Sequence, residues 1–243
     1  MSRIHRAFSA KLPETGEKWD LEGPEAHHLG RVLRVRPGER IVLFNGLGQG
    51  VAGEIVQVSK RVVEVLALSR EPEPPTSPVR LTLAVGLPDR KRAQRMVEAL
   101  GELGVERLIP LRSERGGEPV PAETLARWAL ESAKQSGRNS LLEITEPHAL
   151  TELKLEGAQG WLADPEGPEW FASRLSGAPA PRLTVAVGPA GGFTPAERDA
   201  LVARGFLPLR LAPLVLRVET AAVSAAACVV GAWPPEAPSA PNA

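Results

Sequence analysis

The chain has 243 residues, of which 43% are hydrophobic and 24% charged, and this near-average composition excludes a wholly disordered, collagen-like or coiled-coil protein. Its 29 basic and 29 acidic residues give a formal net charge of zero, which excludes a surface coated in positive charge but is compatible with local basic patches. The single cysteine excludes an intramolecular disulfide and a zinc site built from several cysteines, and we expect Cys228, in an Ala-rich stretch, to be a small core residue.

Targeting and metal-binding signals are both missing from the sequence. The N-terminal residues lack the apolar core of a signal peptide, and no run approaches the roughly 18 apolar residues of a membrane span. Cytoplasmic residence without membrane association is therefore predicted. The four histidines, at positions 5, 27, 28 and 148, have no ligand-like spacing with carboxylates, so no metal is predicted.

The first predicted domain, residues 1–70, is rich in β-structure. The runs IVLFN, GVAGEIVQV and RVVEVLAL lie between Ile41 and Leu68, and the turn-forming NGLGQG (45–50) separates the first two. This pattern predicts a small β-barrel or sheet. The following EPEPPTSP (71–78) carries four prolines in eight residues, which favours an extended linker. We place the domain boundary in this linker.

The second predicted domain, residues 79–233, alternates strands with helices. LTLAVGL (81–87), a helix over 91–104 and RLIPL (107–111) form a β-α-β unit. A helix over 121–138 and three further apolar strands follow, at 160–164, 182–188 and 206–212. This alternation predicts an α/β fold with a mostly parallel sheet covered on both faces. The tail, 234–243, is rich in Pro and Ala, and we predict it to be disordered.

GPAGGF (188–193) follows a buried strand and precedes a well-marked helix start. Thr194 is the predicted N-cap, Pro195 the first helical residue, and Glu197 completes a capping box; Gly205 ends the helix. The loop therefore lies at the carboxyl end of a strand, where α/β folds usually bind ligands. It matches neither the GxGxxG fingerprint nor a P-loop. A tight structural turn is an equally good interpretation of these residues alone.

LAPLVLRVETA (211–221) is a second loop of the same kind. It joins an apolar strand to an Ala-rich helix that we expect to begin near Glu219 or Thr220. Arg217 and Glu219 are either polar groups of a pocket or a pair at a helix start, where Glu favours the positive end of the dipole. The residues alone favour the helix-start interpretation.

Several runs resemble one known family, in order along the chain. They are HHLGRVLRVRPGERIVLFNG, ELGVERLIPLRSER, KQSGR, VGPAGGFTPAE and LVLRVETA. Together they resemble the RsmE family of 16S rRNA uridine-N3 methyltransferases from about Ala26 to Trp233. The first run is similar to that family's PUA-like RNA-binding domain.

The resemblance implies a SPOUT-type α/β catalytic domain with a C-terminal trefoil knot, preceded by the small PUA-like β-barrel domain. It implies S-adenosylmethionine as cofactor, 16S rRNA or the small ribosomal subunit as partner, and a homodimer. The cofactor-binding residues it implies lie in the two loops and are Gly188, Pro189, Gly191, Gly192, Leu211, Leu216, Thr220 and Ala221.

Catalytic and RNA-binding roles follow from the chemistry of the implied reaction. Uridine N3 becomes a nucleophile only as its proton leaves, and Arg217 is expected to stabilise the resulting anion. Glu219 would orient Arg217 or accept the proton, with helix capping as the alternative. The expected RNA-binding residues are Arg31, Arg34 and Arg36, with neighbouring Arg40, and also Arg115 and Arg138, for which solvated loop charges are an equal alternative.

The chain departs from the family pattern at several positions, and these keep two other functions open. The residues that replace the family's usual ones are Ala190 (for Glu), Ala212, Leu214, Val218, Lys134, Glu98 and Ala99. The loss of the carboxylate at position 190 motivates a non-catalytic, RNA-binding ribosome-assembly factor as the alternative. A small-molecule enzyme with a nucleotide cofactor is disfavoured, because GxGxxG is absent.

Overall fold

A computed structural model describes residues 4–175 and 182–235 and divides the chain into two compact units. The first unit contains the chain up to Pro74 together with Ala133–Leu141, and the second contains Pro75–Ser132 and the chain from Leu142 onward. The predicted disordered tail lies outside the described residues except for Pro234 and Pro235.

A five-stranded sheet forms the first unit. Its strands are β1 (His5–Phe8), β2 (Lys18–Leu21), β3 (Arg40–Phe44), β4 (Gly50–Val58) and β5 (Val63–Glu71), in the spatial order β1-β3-β4-β5-β2. β1 and β3 are parallel and the other pairs antiparallel. The three β-rich runs predicted after Ile41 are confirmed. Alternate residues of β5 (Val63, Val65) point into a core that also contains Ile41, Leu43 and Ile55.

Two short helical segments link β2 to β3. α1 (Gly23–His27) runs directly into a π-helical segment, His28–Leu33. The π-helical segment ends at Arg34, which has the left-handed backbone conformation (φ 54°) that non-glycine residues seldom adopt. π-Helical turns of this kind often accompany functional sites.

The segment 133–141 joins the first unit through a buried polar network. Asn139 is fully buried, and its side-chain amide donates to the Pro72 carbonyl at 3.0 Å. Its Oδ1 accepts from Arg6 Nη2 at 2.6 Å, and its main-chain N–H donates to Glu73 Oε2 at 2.8 Å. An ion pair between Lys134 and Glu25 (2.6 Å) adds a charged contact within the same unit.

The second unit is built on a fully parallel sheet of eight strands. They are β6 (Arg80–Val85), β7 (Arg107–Arg112), β8 (Glu143–Ile144), β9 (His148–Ala149), β10 (Gln159–Ala163), β11 (Glu169–Trp170), β12 (Arg182–Val187) and β13 (Phe206–Arg210). The main path is β11-β13-β10-β12-β6-β7-β8, and β9 pairs with β7. The predicted parallel sheet is therefore confirmed.

Helices cover both faces of this sheet, as the strand–helix alternation predicted. They are α2 (Arg90–Glu102), α3 (Ala122–Ser136), α4 (Pro195–Ala203) and α5 (Val218–Ala232). Side chains of α2, α3 and α5 share one core with Leu83 and Val185, while α4 contributes Leu201 to a second core with Ala84 and Ala186. No helix in the described ranges is long and apolar enough to cross a membrane.

The helix starts that the sequence predicted are largely confirmed. Thr194 caps α4, Glu197 completes the capping box, and Pro195 is the first helical residue. α5 begins at Val218, one residue earlier than expected. The prediction of a core position for Cys228 is wrong, because this residue is exposed. α5 buries Ala222, Ala225 and Ala226, and Cys228 lies outside that buried set.

Candidate functional site

The carboxyl ends of β6 and β12 form the floor of the candidate site. The two strands pair in parallel with Leu81 opposite Leu183 and Val85 opposite Val187, and the pairing continues as Gly86 N–H donates to the Val187 carbonyl at 2.9 Å. A Cβ atom on Gly86 would lie 2.6 Å from Pro189 N, closer than side chains approach backbone atoms. The loops that follow the two strands are therefore in direct backbone contact.

The loop 188–193 exposes main chain and no polar side chain. Gly192 N–H donates to the Pro189 carbonyl at 2.8 Å, which closes a turn, and Gly192 has a φ of 69° that favours glycine. Arg115 Nη1 donates to the Gly191 carbonyl at 3.0 Å. Gly191 is exposed, and the space beside Gly192 is open. This turn can accept a ligand close to its backbone.

The loop 211–217 reaches the same edge of the sheet. β13 is separated from β12 by β10, whereas α5 packs on β6 and β12. The connecting loop therefore crosses the carboxyl edge of the intervening strands. Leu211 and Leu216 pack against the core that also receives Leu87 from the loop after β6. Leu214 and Val215 are 78% and 81% exposed.

Arg217 and Glu219 lie at the start of α5. Arg217 is the exposed N-cap residue and makes no side-chain capping bond. Glu219 lies in the first turn, where its charge suits the helix dipole. Its Oε1 is 3.9 Å from Arg92 Nε, and its Oε2 is buried without a hydrogen-bond partner among the described residues. The cation beside Glu219 is therefore Arg92, which we did not single out from the sequence.

The predicted RNA-binding arginines differ in exposure. Arg31, Arg34 and Arg36 are exposed on or next to the π-helical segment, and Arg115 is exposed as well. Arg138, in contrast, is only 7% exposed, and its Nη2 donates to Ser140 Oγ at 3.2 Å. Burial lowers the pKa of the Arg138 guanidinium, against an opposing contribution from the charge of Glu73. This environment favours a structural role for Arg138.

Gly86 is a residue of the candidate site that we did not predict, although the sequence contains a signal for it. LTLAVG (81–86) and LTVAVG (183–188) are nearly identical, and they are the segments that pair in register. The repeat places Gly86 beside Gly188 in equivalent positions. Among the described residues, no group of three or more His, Cys, Asp or Glu side chains is arranged to hold a metal ion.

Comparisons with known proteins agree with this arrangement. Residues 75–230 match the family described as RNA methyltransferase domain, and residues 21–67 match RNA methyltransferase PUA domain. Ribosomal RNA small subunit methyltransferase E of Mycobacterium bovis is 30% identical, with 90% of this chain and 88% of that protein covered. The same enzyme of Bacillus subtilis is 27% identical over 94% of this chain and 96% of its own length.

A solved structure extends the likeness to the fold. Ribosomal RNA small subunit methyltransferase E of Neisseria gonorrhoeae, bound to S-adenosyl methionine, has a TM-score of 0.86 and 27% identity, covering 95% of this chain and 98% of that one. The predicted α/β methyltransferase fold with an N-terminal PUA-like domain is confirmed. With the domain match over 75–230 and the 30% identity to the Mycobacterium bovis enzyme, the chain belongs to the ribosomal RNA small subunit methyltransferase E (RsmE) family of RNA methyltransferases.

Proposed function

We propose that this protein uses S-adenosylmethionine to methylate N3 of a uridine in the 16S rRNA of the small ribosomal subunit. Family membership supports RNA methylation, and the observation that carries the site is the convergence of three strand-end loops on one edge of the parallel sheet. Gly86 touches Pro189 across this edge, and Leu87, Leu211 and Leu216 pack on one core beneath it. Ligands of open α/β sheets bind at such carboxyl edges.

The two loops fit the cofactor through backbone and apolar surface. The loop 188–193 offers a turn with open space beside Gly192, and the loop 211–217 offers apolar side chains. A largely apolar cleft with few polar groups suits adenine and ribose. The residues proposed to hold the cofactor are Gly188, Pro189, Gly191, Gly192, Leu211, Leu216, Thr220 and Ala221. When bound, the cofactor supplies a methyl group on a sulfonium centre that is already electrophilic.

Arg217 and Glu219 are proposed to act on the uracil ring. As the N3 proton leaves, negative charge spreads to the carbonyl oxygens, and an exposed arginine stabilises it through charge-assisted hydrogen bonds. Arg217 is exposed and forms no ion pair with a described carboxylate. The buried Oε2 of Glu219 has no donor among the described residues, so this carboxylate has free capacity to accept the proton.

The N-terminal residues 1–70 are proposed to bind RNA as a PUA-like domain, and residues 79–233 to form the catalytic domain. Arg31, Arg34 and Arg36 are exposed for phosphate contact. Arg115 anchors the loop 188–193 through Gly191 and is free to reach RNA with its other guanidinium donors. A homodimer, a trefoil knot and cytoplasmic residence remain predictions from the family resemblance and the sequence.

A methylation assay tests the proposal. Purified protein is incubated with labelled S-adenosylmethionine and small subunits that lack the modification, and the labelled nucleoside is identified. We expect 3-methyluridine in 16S rRNA, with turnover lowered at least tenfold in R217Q and E219Q at unchanged S-adenosylhomocysteine affinity. Cofactor binding without any transfer to RNA would contradict methylation. That result would favour the non-catalytic assembly factor, the alternative suggested by Ala190 in place of the family's usual Glu.

A further inference from the structure

The first turns of α2 carry an unusual concentration of positive charge. Arg90, Lys91, Arg92 and Arg95 lie within six residues, directly after the loop that leaves β6. Arg90, Lys91 and Arg95 are exposed, and the opposite side of the helix is buried through Ala93, Met96, Val97 and Leu100. Lys91 and Arg95 are four residues apart and are therefore neighbours on one helix face.

This charge is unfavourable for the helix itself. The N-terminal end of a helix carries a partial positive charge, so each cation in the first turn destabilises the helix. No acidic residue lies in the first turn of α2 to compensate, although Asp89 caps the helix. Folding of α2 therefore gives no reason for the cluster, which points to a ligand outside the protein.

The exposed cations also lack ion-pair partners. Arg92 contacts Asp89 at 2.9 Å, whereas Arg90, Lys91 and Arg95 form no ion pair with any described carboxylate. The Arg90 guanidinium lies 5.8 Å from the centroid of the Trp128 ring, and this cation–π contact restricts its position without neutralising it.

The opposite edge of the same sheet provides a contrast. Arg80 begins β6 and is paired with Glu106, and Arg107 begins β7 and is paired with Glu143 at 3.0 Å. The exposed cations that remain at that edge, Lys154, Arg182 and Arg204, come from three separate segments, whereas Arg90, Lys91 and Arg95 lie within six residues of one helix next to the candidate site.

We propose that Arg90, Lys91 and Arg95 form a phosphate-binding surface, which holds the RNA backbone that flanks the target uridine against the catalytic domain. This inference rests on the proposed function and adds an RNA contact outside the PUA-like domain. Exposed, unpaired Arg and Lys side chains match phosphates in charge, and such contacts fix the position of a nucleic acid without reading its sequence. Release of counterions makes them strongly dependent on salt.

A charge-matched pair of triple variants tests the surface. R90Q/K91Q/R95Q removes the cluster, and K154Q/R182Q/R204Q removes three exposed cations at the opposite edge, which lie before β10, at the start of β12 and before β13. Binding of each to undermethylated small subunits and to a 16S rRNA fragment is measured over a series of salt concentrations. S-adenosylhomocysteine affinity and thermal unfolding provide the folding controls.

For the cluster variant we expect RNA affinity to fall at least tenfold more than for the control, with KM raised and kcat preserved at saturating RNA. The slope of log affinity against log salt should decrease by about 2, since each single-strand phosphate contact contributes about 0.7. Equal affinities and slopes for the two variants would overturn the proposal. If the wild-type protein binds RNA through the cluster yet transfers no methyl group, the surface stands and the proposed function fails.

Discussion

Replacement of Gly86 by alanine tests the site through a single contact. The new Cβ would lie 2.6 Å from Pro189 N and 2.9 Å from Pro189 Cα, both backbone atoms that cannot rotate away. Gly86 itself does not have a positive φ, so its backbone conformation does not require glycine, and the strain comes from the clash with Pro189. The substitution therefore pushes the loop 188–192 away from β6.

The magnitude follows from overpacking against this loop. Insertion of a methyl group into a packed site usually costs about 1–3 kcal/mol, and the lower entropy of the unfolded chain returns about 0.4–1 kcal/mol. We expect a net loss of about 1–2 kcal/mol in the free energy of unfolding. If the cofactor must return the displaced loop to its original position, binding loses up to this strain energy, and since about 1.4 kcal/mol corresponds to a tenfold change in affinity, cofactor binding should weaken by up to roughly tenfold.

Gly160 provides a matched control in the same unit. A Cβ on Gly160, at the amino end of β10, would lie 2.8 Å from Leu155 Cδ2, so G160A adds a methyl group against a side chain that can shift more easily than the Pro189 backbone. Calorimetry with S-adenosylhomocysteine and urea unfolding are compared for G86A and G160A. We expect weakened binding only in G86A. If both variants lose stability and both bind S-adenosylhomocysteine like the wild type, the loop 188–192 does not hold the cofactor.

Two further predictions concern stability. The hydrogen bond from Arg80 lowers the pKa of Glu106. The stabilisation that this bond gives is present above the carboxyl's unfolded-state pKa of about 4.3 and is lost as pH falls through the depressed folded-state pKa. E106Q should therefore lower the urea midpoint at neutral pH, and a difference from wild type that persists in strong acid would refute this. N139A should lower the free energy of unfolding in urea by about 2–4 kcal/mol, because it leaves Arg6 and the Pro72 carbonyl without their buried partner. The matched change N45A, in a hairpin whose side-chain hydrogen bonds are exposed, should lower it by less than about 1 kcal/mol. Equal losses would show that the buried network stabilises the fold no more than the exposed one does.

Local sequence signals predicted the regular elements well. The capping box of Thr194 and Glu197 depends on residues three apart, and the apolar runs 81–87 and 182–188 reflect strands buried on both faces. Such features are determined by near neighbours in the chain. The short strands β8, β9 and β11 have two residues each, too few to produce a hydrophobic period, and they were not predicted.

Long-range packing explains what the sequence analysis could not predict. The helix predicted over 121–138 gave no indication that its last residues belong with the N-terminal sheet. Arg138 follows α3 and has the sequence context of a solvated loop, yet the polar network around Asn139 buries it. Cys228 was assigned to the core because its neighbours are apolar, but an Ala-rich helix does not reveal which face is buried.

The candidate site itself depends on neighbours in the sheet rather than in the chain. Taken alone, GPAGGF was compatible with a simple turn, because its glycines carry no chemistry that identifies a ligand. The register of β6 and β12 changes this interpretation, since it sets Gly86 against Pro189 and leaves no room for a side chain between the two loops. The close backbone approach therefore fixes the loop 188–192 against the loop after β6, at the edge of the sheet where α/β folds usually bind ligands, and the repeat LTLAVG and LTVAVG is the sequence signal of this pairing.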